Sequence, residues 1–166
     1  MKKYLVLLLV LLVSITSFTQ IPVDAKASKK FTVKLSKCID GDTTYFRKVS
    51  EPSYIGNKSE IGKTRFLYVD TPESTNKIEP YGKTASKFTC DTLKKAKKIE
   101  LQYDGPKKDK YNRTLAWVWV DGKLLQRELV KKGYVKRFYD YGTYSYEKEL
   151  RTLQAQAIKK KVGLHK

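Results

Sequence analysis

Histidine is nearly absent from this 166-residue chain: the one copy is His165, next to the last residue. With a single imidazole so placed, no Ser-His-Asp triad, Cys-His pair or H-E-x-x-H zinc site can be assembled. Acidic side chains are also scarce. Seventeen Asp plus Glu stand against 35 Lys plus Arg, a formal charge of +18. That balance points to an anionic partner without choosing one. Any catalysis must then run on carboxylates, Arg, Lys, Tyr or an oxygen-bound metal. The chain does hold apolar material for a core, at 40% hydrophobic and 12% aromatic residues, and its length suits one compact domain.

The N-terminus reads Met1-Lys2-Lys3-Tyr4, then an apolar run from Leu5 to Val13, then small and polar residues. A basic start before an apolar segment of about ten residues describes a secretory signal peptide. The run thins out before the roughly 20 residues that a membrane span needs. Ala25-Lys26-Ala27 offers the cleavage site, so residues 1–27 are expected to be removed and 28–166 to form the mature domain. Cleavage takes away Lys2, Lys3, Lys26 and Asp24, which leaves +16; the basic character belongs to the domain. Secretion to the medium or the cell wall follows, with no membrane insertion after cleavage. In an exported chain Cys38 and Cys90 permit one disulfide, but two residues give no spacing pattern, and two buried thiols fit as well.

Phe31, Val33, Leu35 and Lys37 alternate with Thr32, Lys34 and Ser36, the period of a half-buried strand. Further strands are expected over 44–48, 64–69, 99–103 and 115–120, the last ending at the hairpin signal Asp121-Gly122. Tyr81, Ala85, Phe88, Thr92, Leu93 and Ala96 share one face of a helix over about 81–97. A short helix over 124–132 stops at Gly133. A third begins near Tyr146 with Leu150, Leu153, Ala157 and Ile158 inward, acids in its first turn and lysines in its last. The fold class is therefore α+β: a five-stranded OB-type β-barrel with three α-helices.

In so basic a chain the clustered acids stand out. Asp40-Gly41-Asp42 lies at the turn after the first strand, and Asp70-Thr71-Pro72-Glu73 at the end of the strand that holds Arg65. Carboxylates and carbonyls suit a hard cation such as Ca²⁺. Two acids cannot close a cage alone, so water and a substrate phosphate would complete it. An EF-hand starting at Asp40 fails because Tyr45 sits where that loop needs Gly. Taken singly, each acidic motif also fits turn chemistry, and Asp109-Lys110-Tyr111-Asn112-Arg113 also fits a solvated loop.

In combination and order, Ile39-Asp-Gly-Asp-Thr43, Arg65 with Val69-Asp-Thr-Pro-Glu73, Tyr81-Gly82, and Asp109-Lys-Tyr-x-Arg113-x-Leu-Ala116 resemble the staphylococcal nuclease (thermonuclease) family. The resemblance runs on through Asp121-Gly-Lys123, Glu128-Leu-Val130, Gly133 and Ala155-Gln-Ala157, over about residues 30–164. It implies a monomeric, Ca²⁺-dependent endonuclease that hydrolyses DNA and RNA to 3′-phosphates. It also implies metal ligation by Asp42, Asp70 and the Thr71 carbonyl, with Glu73 as general base or water orienter. Arg65 and Arg113 would grip the scissile phosphate, Lys110 and Tyr111 an adjoining terminal phosphate, and Tyr139 and Tyr141 would lie beside the base. The chain departs from the family pattern in a longer Thr44–Arg65 segment, a different Ser74–Pro80 stretch, Asn112 where Gly is usual, and Asp140 between the tyrosines. Trp117 and Trp119, alternating on a strand, read as packing residues. The competing function is an OB-fold module that binds nucleic acid without cleaving it. Such a module has no need of Asp42, Asp70, Glu73, Arg65 and Arg113 together.

Overall fold

The computed structural model describes residues 27–49, 60–139, 142 and 144–166. The leader segment through Lys26, Tyr141, Asp140 and the middle of the long 44–64 loop lie outside the described residues.

Strand β1 (Phe31–Cys38) turns its alternate residues inward as the period requires: Val33 is buried, Phe31 and Leu35 half-buried, and Thr32, Lys34 and Ser36 exposed. It pairs antiparallel with β2 (Thr43–Lys48), which pairs antiparallel with β3 (Glu60–Phe66). Phe66 does not continue into a single strand through Val69, as the apolar run suggests. Tyr68 takes the left-handed conformation (φ 70°), and the Val69 N–H closes back on the Leu67 carbonyl at 2.9 Å. This reversal starts a separate short strand, β4 (Val69–Asp70).

Helix α1 (Gly82–Lys95) follows, with Ala85, Thr89 and Leu93 buried. Strand β5 (Ile99–Gln102) returns antiparallel to β1, and β6 (Thr114–Val120) antiparallel to β5. The barrel closes where β6 runs parallel to β3, in the register Thr64↔Thr114, Arg65↔Leu115 and Phe66↔Ala116. Five strands thus form the closed barrel, and closure removes the free edges of an open sheet.

At Asp121-Gly122 both residues have positive φ, 50° and 80°, and the chain turns into β7 (Lys123–Leu124). Helix α2 (Leu125–Lys131) ends at Gly133 (φ 66°), whose position leaves no room for a Cβ beside the Val162 carbonyl. A two-residue strand, β8 (Arg137–Phe138), pairs with β4. Helix α3 (Glu147–Lys159) buries Leu150 and Ala157, while Ile158 is exposed rather than inward.

From Ala116 to Val120 every residue of β6 is buried, because one face lines the barrel and the other is covered. The Gln126 side chain of α2 bonds the β6 backbone at the Val118 N–H and the Ala116 carbonyl. Trp117 and Trp119 belong to this core, and their indole N–H groups donate to Asp104 and Gln102 at 2.8 and 2.9 Å. Cys38 and Cys90 form a disulfide that joins the end of β1 to α1, with Cα atoms 5.7 Å apart.

Candidate active site

The turn after β1 is tight. The Ile39 and Asp40 N–H groups both reach the Thr43 carbonyl, and the Asp42 N–H donates to Asp40 Oδ1 at 3.2 Å. Gly41 fits at its tip because a Cβ there would lie 2.6 Å from Thr71 Oγ1 and 3.0 Å from the Ala85 Cβ. Thr89 of α1 fixes the same turn by donating its hydroxyl to the Gly41 carbonyl at 2.7 Å.

So held, Asp42 is 1% exposed and accepts from four sides. Its Oδ2 takes the Thr71 N–H (2.7 Å) and hydroxyl (3.1 Å); its Oδ1 takes the Thr43 hydroxyl (3.0 Å) and the Arg65 guanidinium. Arg65 also donates to Asp70 Oδ1 at 2.8 Å and to the Val69 carbonyl at 3.2 Å. One buried guanidinium therefore draws the two predicted ligand carboxylates together. Burial alone would lower the Arg65 pKa, but the charge of Asp42 and the bond to Asp70 outweigh it and raise it further. Asp40 is pushed the other way, to about 7, by burial and by the neighbouring Asp42 charge.

Glu73 follows at the end of this segment, half-buried. Its N–H donates to Glu79 Oε2 at 2.8 Å, and its carbonyl accepts the Glu79 N–H at 2.9 Å. Lys136 holds Glu79 Oε2 at 2.6 Å and lies 3.6 Å from Asp70 Oδ2. Among the described residues the Glu73 carboxylate itself makes no hydrogen bond, so it stays available to a ligand.

Across the closure of the barrel, Asp109 organises the second cationic turn. Its carboxylate accepts the Tyr111 and Arg113 N–H groups at 2.9 Å each and the Arg113 Nε at 2.6 Å. Burial raises the Asp109 pKa, and these bonds more than reverse that, leaving it below the usual carboxylate range. Asn112 takes φ 61° in this turn, a conformation that Asn tolerates where Gly is usual. Tyr111 is 68% exposed, with the Lys110 ammonium 5.1 Å and the Arg113 guanidinium 5.4 Å from its ring centre.

A cleft of about 600 Å³ opens between these pieces, lined by Arg65, Asp70, Glu73, Lys110, Tyr111, Arg113 and Tyr139. Asp42 stands behind it, joined to it through Arg65, and Thr71 bonds Asp42. Seven of the ten residues singled out from sequence thus face one cavity and two support it. Tyr141 lies outside the described residues. A match to the family model described as "Staphylococcal nuclease homologue" covers residues 63–166, from β3 to the chain end. The chain belongs to the staphylococcal nuclease family. It is 34% identical over 136 residues to the thermonuclease of Staphylococcus hyicus, spanning 80% of this chain and 75% of that protein. Identity to the thermonuclease of Staphylococcus intermedius is 32% over 133 residues, 78% of this chain and 73% of that one. With endonuclease YncB of Bacillus subtilis it is 38% over 124 residues, 72% of this chain and 54% of the relative.

The donor set at Asp42 and Asp70 is all oxygen and buried, which fits a hard divalent cation of the kind this family's pattern implies. Among the described residues no three His, Cys, Asp or Glu side chains form a cage. Backbone, water and substrate oxygens would complete the coordination. Three contributors to the site were not legible beforehand: Glu79, Lys136 and Arg137. Arg137 places its Nε 2.8 Å from Asp70 Oδ2. One available signal was a pair of cations directly before Phe138-Tyr139, but in a chain with 35 cations such a pair carries little information.

Proposed function

We propose that this member of the staphylococcal nuclease family is an exported, Ca²⁺-dependent phosphodiesterase that hydrolyses DNA and RNA and leaves 3′-phosphates. The observation that carries the reading is a single cleft receiving two guanidiniums, Arg65 and Arg113, beside Glu73 and the buried pair Asp42 and Asp70. The names of the relatives, thermonuclease and endonuclease, support it. Export is supported by the leader-like start of the chain and by the Cys38–Cys90 disulfide, a bond of oxidising compartments.

Asp42, Asp70 and Thr71 would hold the cation, which when bound supplies neutralisation of phosphate charge and a more acidic water. Arg65 and Arg113 bind the two non-bridging oxygens of the scissile phosphate and stabilise the charge that grows there during attack. Glu73 accepts a hydrogen bond from the attacking water and aims it at phosphorus, in line with the departing 5′ oxygen. Lys110 and Tyr111 bind the next phosphate. Tyr139, with Tyr141, offers a ring to the base, a contact worth roughly 1–3 kcal/mol.

The test is cleavage of single-stranded DNA and RNA by the purified protein, with Ca²⁺ and then with excess chelator, for the wild type and for Arg113→Ala. Arg113 suits the test because it is half-buried and, among the described residues, its one ion pair is with Asp109. Arg65→Ala would strip Asp42 of its one ion pair among the described residues and cost about 3–5 kcal/mol of stability, which confuses the result. The expected outcome is chelator-sensitive cleavage by the wild type and a loss of roughly 10³–10⁵ in kcat for Arg113→Ala. Nucleic-acid binding without cleavage would establish the non-catalytic alternative, and near-wild-type turnover by the variant would remove Arg113 from the site.

A further inference from the structure

Three cations face the one buried Asp70 carboxylate. Arg65, itself buried, already pairs with Oδ1. The other oxygen, Oδ2, is bonded by Arg137 Nε at 2.8 Å, and the Lys136 ammonium lies 3.6 Å from it. Arg137 differs from Arg65 in being 62% exposed, so it can leave the carboxylate at little cost in lost contacts. Its backbone cannot wander. Arg137 and Asp70 are directly paired in the β4–β8 ladder, and the next residue, Phe138, stacks on Tyr68 with ring centres 4.6 Å apart. A second nitrogen, Nη2, donates to the Tyr139 hydroxyl at 2.8 Å, and the guanidinium sits 5.0 Å from that ring centre. Both of its partners, Asp70 and Tyr139, line the cleft. Among the described residues Nη1 has no hydrogen-bond partner.

Resting on the nuclease reading above, we infer that Arg137 is a third phosphate-binding guanidinium of the site, docked on Asp70 until a divalent cation takes that carboxylate. The physical argument is competition for one oxygen. A cation ligated by Asp70 and Arg137 cannot both own Oδ2, and their like charges repel at that distance. Displaced from Asp70 but still fixed by β8 and by the Tyr139 hydroxyl, the Arg137 fork stands beside two cleft-lining residues with its Nε and Nη1 donors unsatisfied. A phosphodiester satisfies them bidentately, as it would not satisfy a point charge such as Lys. Arg65 and Arg113 are assigned to the scissile group, so the phosphate that Arg137 takes is the flanking one on the Tyr139 side. Cation binding and strand binding then assist one another through one side chain: the first releases it and the second occupies it.

An ordinary structural ion pair predicts something different. If Arg137 only held Asp70 in place, removing it would loosen the carboxylate and weaken Ca²⁺ binding and strand binding alike. The test uses Arg137→Gln, which keeps a donor for the Tyr139 hydroxyl, and Arg137→Lys, which keeps the charge without the fork. Calorimetry with Ca²⁺ alone should show several-fold tighter binding by Arg137→Gln than by the wild type. With Ca²⁺ present, KM for a single-stranded oligonucleotide should rise roughly ten- to a hundredfold, as expected for loss of a charge-assisted hydrogen bond. The increase should be larger than for a dinucleotide that carries one phosphodiester. The log–log salt slope for the oligonucleotide should become shallower by about 0.7, one phosphate's share on a single strand. Arg137→Lys should keep most of the slope and recover only part of the affinity. Weaker or unchanged Ca²⁺ binding by Arg137→Gln overturns the inference, as does an unchanged salt slope. If the wild type cleaves nothing, the nuclease reading falls and takes this inference with it. A wild type that cleaves, and an Arg137→Gln that matches it in Ca²⁺ affinity and slope, removes the inference alone.

Discussion

A Cβ at Gly82 would lie 2.0 Å from the carbonyl oxygen of Glu73 and 2.7 Å from its carbonyl carbon, so the first residue of α1 has to be glycine if Glu73 is to stay where it is. The obstacle is backbone and cannot rotate away. Gly82→Ala should therefore push Glu73 out of line, and a misplacement of about 1 Å is enough to cost on the order of 10²-fold in rate. Single-turnover cleavage at saturating substrate would measure this, and wild-type kcat in the variant would show that the Glu73 position is not critical. At this scale the legible residues were those whose chemistry is rare in this chain. Asp42, Asp70 and Glu73 stand out because acids are few, and Arg65 and Arg113 because they recur beside them in order. Lys136 and Arg137 were hidden for the opposite reason, since a cation among many says nothing until a carboxylate is seen beside it. Asp109 was visible as part of a motif, but its work in shaping the turn under Arg113 depends on five contacts that no spacing rule reveals.

Between elements, the Cys38–Cys90 bond and the Thr89 hydroxyl both tie α1 to the segment that presents Asp42. Two cysteines 52 residues apart in sequence could not be assigned as partners in advance, because their pairing depends on how α1 packs against β1. The bond closes a loop of that length, for which chain entropy gives about 4 kcal/mol of stabilisation. Urea unfolding of a Cys38→Ala/Cys90→Ala variant, or of reduced protein, should show a loss of that order; an unchanged midpoint would mean that the bond constrains little in the unfolded chain. The alternation in β1 and the helical face of α1 could be read directly, since each buries one side, while in α3 the reading held for Leu150 and Ala157 but not for the exposed Ile158. The break between β3 and β4 could not. It arises from the left-handed turn at Tyr68, which an apolar run through Val69 conceals.

For the whole molecule, the +18 charge sets how the protein meets a polyanion, and the cleft sets what it does next. Arg65 and Arg113 on one phosphate, Lys110 and Tyr111 on a second and Arg137 on a third give a salt slope near −2.1 for a strand that fills only the cleft. Longer strands should show a steeper slope as they reach lysines outside it. Binding measured against salt for a trinucleotide and for a long single strand would separate the two contributions, and identical slopes would mean that the surface charge takes no part. That the fold is a barrel could be read from five short strands with helices after the third and fifth. What completes it, the parallel pairing of β3 with β6, joins residues 50 positions apart and leaves no local trace. That pairing also brings Arg65, inside β3, alongside the start of β6, where Arg113 immediately precedes Thr114. Contacts so distant along the chain are slow to form. Helices and hairpins rest on local contacts, whereas the two arginines come together only through this non-local pairing, so the cleft exists only once β3 and β6 are joined. A chain that lacks that one pairing can keep its helices and hairpins and still have no cleft.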